Sequence, residues 1–133
     1  MVLDLATANR IIEACAAEAR QVGRNFSIVV LDEAGHLISA QRMDGAGFLT
    51  WQIAFGKAYA CAAFRREGPQ LKLMGDNPAF VDSLVKITEG KFVAALGAAR
   101  ILADGAQIGS VGVSGAQAEQ DQQVADAGVR ALA

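Results

Sequence analysis

Histidine occurs once in the 133 residues, cysteine and proline twice each, and tryptophan and tyrosine once each. With a single histidine, no cluster of His, Cys and carboxylate at zinc-ligand spacing is present. Cys15 and Cys61 each fall on the apolar face of a helical segment, where free cysteine behaves as a small hydrophobe and not as part of a disulfide framework. An excess of one charge is also missing. Lys and Arg number 12 against 14 Asp and Glu, a net charge of -2, which leaves no field to attract nucleic acid or an acidic membrane surface. No apolar run approaches the length of a membrane span, and Asp4, Arg10 and Glu13 interrupt what would be the apolar part of a leader. The chain as given therefore reads as cytoplasmic.

What is present is apolar material, 53% of the residues, enough for a core in one domain over 1-133. Leu5, Ala8, Ile12, Cys15, Ala19 and Val22 recur at steps of three and four, a helical stripe with Asp4 as N-cap and Gly23 as stop. Phe26 to Leu31 is nearly continuous in apolar character, which predicts a central strand covered on both faces. Asp32-Glu33-Ala34-Gly35 reads as a tight turn, with His36 to Arg42 as the return arm. A long helix follows over about Phe48 to Phe64, apolar around more of its circumference than a one-sided surface helix needs. Beyond two short helical runs, about Gln70 to Met74 and Pro78 to Ile87, the spacing predicts strands at Lys91 to Leu96, Ala99 to Leu102 and Gln107 to Val113. Ala103-Asp104-Gly105-Ala106 forms a hairpin turn between the last two. Gly109 and Gly112 inside the final strand predict close approach by a neighbouring backbone. A terminal helix runs from about Ala116 to Leu132. Consecutive hairpins without a βαβ repeat predict an antiparallel sheet with helices on its faces, an α+β fold.

Gly112-Val113-Ser114-Gly115-Ala116 nearly spells a nucleophile elbow, but its base would have to be His36, on a different strand. A tight strand-to-helix connection with Ser114 near the N-cap is the plainer reading. The glycine spacing matches neither a dinucleotide fingerprint nor a phosphate loop. His36 is the one side chain that titrates near neutrality, and so the first candidate for an iron ligand, ahead of Met43, Met74 and Tyr59; the alternative is a hydrogen-bonded structural histidine. Lys57 stands in an otherwise apolar helix and must snorkel or find a partner. Asp44 is a candidate for that partner, so that the polar set of Arg42, Asp44 and Lys57 makes either a structural salt bridge or a carboxylate-binding pocket.

Leu31-Asp32-Glu33-Ala34-Gly35-His36-Leu37-Ile38, followed by Gln41-Arg42-Met43-Asp44-Gly45-Ala46, is similar to the signature hairpin and loop of the GlcG/HbpS family. Ala54-Phe55-Gly56-Lys57-Ala58 and Ile108 to Ala116 with Gln120-Asp121 resemble its other two signatures, in the same order. The resemblance also extends to the C-terminal domain of PduO-type corrinoid adenosyltransferases. It implies a profilin-like or PAS-like layered fold with a five-stranded antiparallel sheet, self-assembly into dimers and higher oligomers such as octamers, and a ligand that is haem or another planar or carboxylated small molecule held at a subunit interface. Many members sit in catabolic operons. The matching positions are His36, Arg42, Asp44, Lys57, Ser114 and Asp121. On this reading Arg42 and Lys57 hold carboxylates, Ser114 belongs to the cofactor-binding set, and His36 contacts a metal. Two alternatives stand beside it. One is an isomerase, lyase or hydrolase with Lys57 or Asp44 as acid or base; the other is an assembly module without catalysis. The chain departs from the family pattern at Leu96-Gly97-Ala98-Ala99-Arg100, where many members carry Gly-Gly-x-Pro; if that segment lines a pocket, the pocket is altered here.

Overall fold

The computed structural model describes residues 2-132. Helix α1 spans Leu5–Val22; the Asp4 carboxylate accepts from the Thr7 N–H, and Gly23, at φ 79°, closes the helix. Both ends lie where the sequence puts them, because each is fixed by a local side chain or by glycine's freedom at positive φ. The buried stripe holds Ala8, Ile12, Cys15 and Ala19 and gains Ile11, while Leu5 is exposed.

Strands β1 (Ser27–Asp32), β2 (Leu37–Arg42), β3 (Ala98–Ala103) and β4 (Ala106–Ser114) form one antiparallel sheet in the order β2-β1-β4-β3. In the β1–β2 hairpin, Asp32 Oδ1 accepts from the N–H groups of Ala34 and His36, and Gly35 takes φ 86°. In the β3–β4 hairpin, Asp104 and Gly105 both have positive φ, the pair a type I′ turn requires. Helices α1 and α5 (Ala118–Arg130) cover one face of the sheet and α2 (Thr50–Phe64) covers the other. The central strands are therefore buried on both sides, as the apolar run in β1 predicts.

Four strands are present among the described residues, not five. Lys91 to Leu96 is irregular. Its backbone is committed elsewhere: the Val93 N–H donates to the Gly56 carbonyl on α2, and a Cβ on Gly56 would meet the Val93 side chain. The apolar character of this stretch thus serves packing on a helix, through Phe92 in a cluster with Cys61 and Leu71. Two short helices, α3 (Gly68–Leu73) and α4 (Pro78–Ile87), precede it, with a 3₁₀ turn over Met74–Asp76 between them. Helix α4 has no buried residue.

Close approach between layers depends on small residues. A Cβ on Gly112 would fall on the Ala54 carbonyl oxygen, and one on Gly128 of α5 would fall on Cys15 Sγ of α1. Cys15 and Cys61 are free and fully buried. Burial pushes both thiols up to about 12, which leaves almost no thiolate at ordinary pH. In the native protein neither should react with a thiol-titrating reagent at mildly alkaline pH, and both should react on unfolding. Rapid native labelling of either would contradict this packing.

Candidate functional site

Lys57 occupies the middle of α2 on the side that packs against the sheet, and is 4% exposed. Its Nζ donates to the Val113 carbonyl at 3.0 Å and to Asp121 Oδ2 at 2.9 Å. The other oxygen, Asp121 Oδ1, accepts from the N–H groups of Gly115 and Ala116, each at 3.1 Å. Asp121 lies in the first turn of α5 and is equally buried. Burial pushes its carboxyl above the usual range, against the opposing pull of Lys57 and the two N–H groups. Gly97 sits over this pair at φ 115°; a Cβ there would come within 2.8 Å of Lys57 Nζ. Gln122 holds the segment in place, accepting from the N–H groups of Gly97 and Ala98 and donating to the Ala98 carbonyl. Gly97 thus closes over the buried cation, while Arg100 of the departing segment turns to Glu67 and Gln107.

This corrects the pairing of Lys57 with Asp44. Asp44 is exposed in the loop after β2 and makes no ion pair among the described residues. It lines a separate cleft of about 350 Å³ with Arg20, Asn25, Gln41, Arg42 and Met43, between the C-terminal turn of α1 and the end of β2. The Arg42 Nη1 donates to the Ala46 carbonyl at 2.9 Å and so ties the loop to the strand. Met43 reaches back to β1, where its Sδ accepts from the Phe26 N–H at 3.4 Å. Arg20, exposed on α1, is the second cation of the cleft; nothing in the helical pattern marks it, because an exposed arginine near a helix end is commonplace.

His36 is at the opposite end of β2. Its side chain is 79% exposed, with Nδ1 3.5 Å from Asp32 Oδ2. Six residues of extended chain, at about 3.3 Å each, put roughly 20 Å between His36 and Arg42. A ligand that touched both from one copy would have to lie along the length of the strand. The cavity beside the His36 turn, lined by Gly35, Tyr59 and Ala62 among others, is about 90 Å³, too small for a tetrapyrrole. Ser114, the last residue of β4, is 6% exposed, while Gln117 caps α5. Met74, half-buried on the 3₁₀ turn, packs with Leu71 and Phe92, away from His36. The six signature positions thus divide into a buried knot of Lys57 and Asp121 below Ser114, an open cleft at Arg42 and Asp44, and an exposed turn at His36. Among the described residues no group of three or more His, Cys, Asp or Glu could hold a metal ion, and no helix is long and apolar enough to cross a membrane.

A helix-covered antiparallel sheet with a cleft at the end of its edge strand, lined by Arg20, Arg42 and Asp44, defines a small α+β domain. Residues 3-130 match the family model described as haem degrading protein HbpS-like, and the chain belongs to that family. It is 36% identical over 116 residues to protein GlcG of Escherichia coli K12, covering 86% of this chain and 82% of that one. A 15.0 kDa protein from the dhaT-dhaS intergenic region of Citrobacter freundii is 28% identical over 124 residues, covering 93% and 87%. Among solved structures, a double mutant of Streptomyces reticuli HbpS superposes with TM-score 0.87 at 27% identity, covering 100% of this chain and 88% of that one. The PduOC:heme complex superposes with TM-score 0.88 at 24% identity, covering 98% and 95%.

Proposed function

We propose that this chain is a small-ligand-binding protein that takes a carboxylated molecule, haem or a smaller planar acid, at a contact between copies of itself. The observation that carries the reading is the cleft in which Arg20 and Arg42 face the same space of about 350 Å³. Two guanidiniums in one cleft suit a carboxylate, which each can bind through paired N–H donors. The haem version draws support from the heme complex of PduOC on the same fold. In this chain the two candidate contacts stand at opposite ends of β2, and the macrocycle is placed between copies, one lending His36 and the other Arg42. Self-association draws support from α4, where Ile87 is 76% exposed and Phe80, although edge-on to Phe64 of α2, is still 44% exposed. Haem, if held this way, would supply an iron centre reached by His36; the arginines would orient its propionates.

The enzyme alternative, with Lys57 as acid or base, would first have to open the pair with Asp121. Asp44 remains accessible beside Arg42, but no feature of the cleft favours catalysis over binding. The test is a haemin titration followed in the Soret band, with sedimentation in parallel. A saturable shift lost in both His36→Ala and Arg42→Ala, together with oligomers, is the expected result. If haemin leaves the spectrum unchanged, the ligand is a smaller acid, read by calorimetry against a panel of carboxylates. Affinity for that acid should then fall by about tenfold or more in Arg42→Ala, the loss of one charge-assisted pair. Unaltered binding in Arg42→Ala would sink the assignment of the cleft.

A further inference from the structure

On the opposite face of the sheet from that cleft lies a notch of about 300 Å³ lined by Trp51, Gln52, Phe55, Glu89, Gly90 and Lys91. Trp51 and Phe55 are one turn apart on α2 and form an aromatic wall. Trp51 is 47% exposed, and the Phe55 ring is held by stacking on Tyr59 at 6.1 Å. The facing wall is the turn that ends α4. Glu89 at φ 56° and Gly90 at φ 82° reverse the chain, and the Gly90 N–H donates to the Val85 carbonyl at 2.8 Å. The same segment is fastened to α2 through the Val93 N–H to the Gly56 carbonyl, with no Cβ on Gly56 to hold it off. Both walls are thus fixed before any ligand arrives, which lowers the ordering cost of binding.

We infer that this notch is a second ligand site, separate from the Arg20 and Arg42 cleft, and that it takes a planar aromatic monocarboxylate. A mostly apolar recess with a few polar groups at its rim is the usual form of a small-molecule site. The aromatic wall receives the flat ring face to face or edge on. Lys91, exposed at the rim and without an ion pair among the described residues, receives the carboxylate. Glu89, on the other side of Gly90, repels a second negative charge, so the site admits one carboxylate and rejects two. Its volume suits a single substituted ring.

Trp51 is the sole tryptophan, so the protein's own emission reports on the notch directly. Phenylacetate titrated into the intact protein should change Trp51 emission saturably, with a dissociation constant of about 1 mM or below. Lys91→Ala should weaken binding by about tenfold, the loss of one charge-assisted contact. Phthalate should bind much more weakly than phenylacetate, and Glu89→Gln should narrow that gap. Arg42→Ala should leave the titration unchanged. A linear, non-saturating response, equal affinity in Lys91→Ala, or loss of the signal in Arg42→Ala would each overturn the site. Because Arg42 lies outside the notch, failure here leaves the cleft untouched, and failure of the cleft leaves this titration intact.

Discussion

Replacing Lys57 with methionine should cost about 3 to 5 kcal/mol of unfolding free energy, the range found when one partner of a buried ion pair is removed. The methionine fills the volume of the lysine stem but leaves the Asp121 carboxyl, 4% exposed, without its cation. Urea unfolding should show the midpoint fall by a large fraction, since domains of this kind hold only about 5 to 15 kcal/mol in all. The double variant Lys57→Met/Asp121→Asn should recover part of the loss, because an amide oxygen still accepts from Gly115 and Ala116 while the buried charge is gone. The pH dependence has a definite sign. Burial already raises the Asp121 carboxyl above the usual carboxylate range, and without Lys57 it rises further. A carboxyl raised in the folded state is held preferentially protonated. The deficit of Lys57→Met should therefore be smallest below the unfolded carboxylate range and grow as pH rises toward the folded value. A single variant as stable as the parent at neutral pH would show that the pair carries no such weight.

The second large effect is expected at Gly112. It pairs with Val29 on one side and Ala98 on the other, directly beneath α2. A Cβ here would lie on the Ala54 carbonyl oxygen and within 2.7 Å of the Ala58 nitrogen, both backbone atoms that no rotamer change can move. Gly112→Val should force α2 off the sheet and cost about 3 kcal/mol or more, the upper end for overpacking a core. Gly75→Ala is the control: nothing stands within 4 Å of its Cβ position, and the change should stay within about 0.5 kcal/mol. Equal stabilities for the two variants would mean the layers are not in the contact described.

Legibility in the sequence followed the range of the interactions. The caps at Asp4 and Gly23 and both hairpin turns are decided within a few residues, and they stand where the pattern places them. The glycines of β4 announce close neighbours, although not that these are α2 at Gly112 and the Leu31 carbonyl and Leu3 side chain at Gly109. Helix boundaries moved by a residue or two, with α2 starting at Thr50 and α5 at Ala118. The irregular stretch at 91-96 was misread as a strand because apolar residues pack on a helix as readily as in a sheet, and its one deciding contact, with Gly56, is distant in the chain. Lys57 was legible as a cation needing a partner. Its partner was not, since Asp121 lies 64 residues away and by itself looks like an ordinary acidic residue at a helix start. Arg42 and Asp44, two residues apart, line one cleft, while Lys57 lies away from them. Arg20 joins them only through the packing of α1 beside the end of β2.

The knot around Lys57 also sets an order of events. A lysine on α2 can enter the interior at small cost only once Asp121 is there to meet it, and the carbonyl it also engages belongs to β4, 56 residues on. Contacts of such separation carry a loop-closure entropy and slow the search for the native state. Sealing α2 on the sheet before α5 arrives would bury the ammonium without its carboxylate, at a cost of several kcal/mol. The contact between the Ala54 and Ala58 face of α2 and the central strand β4 is therefore expected to form together with the docking of α5 and not before it.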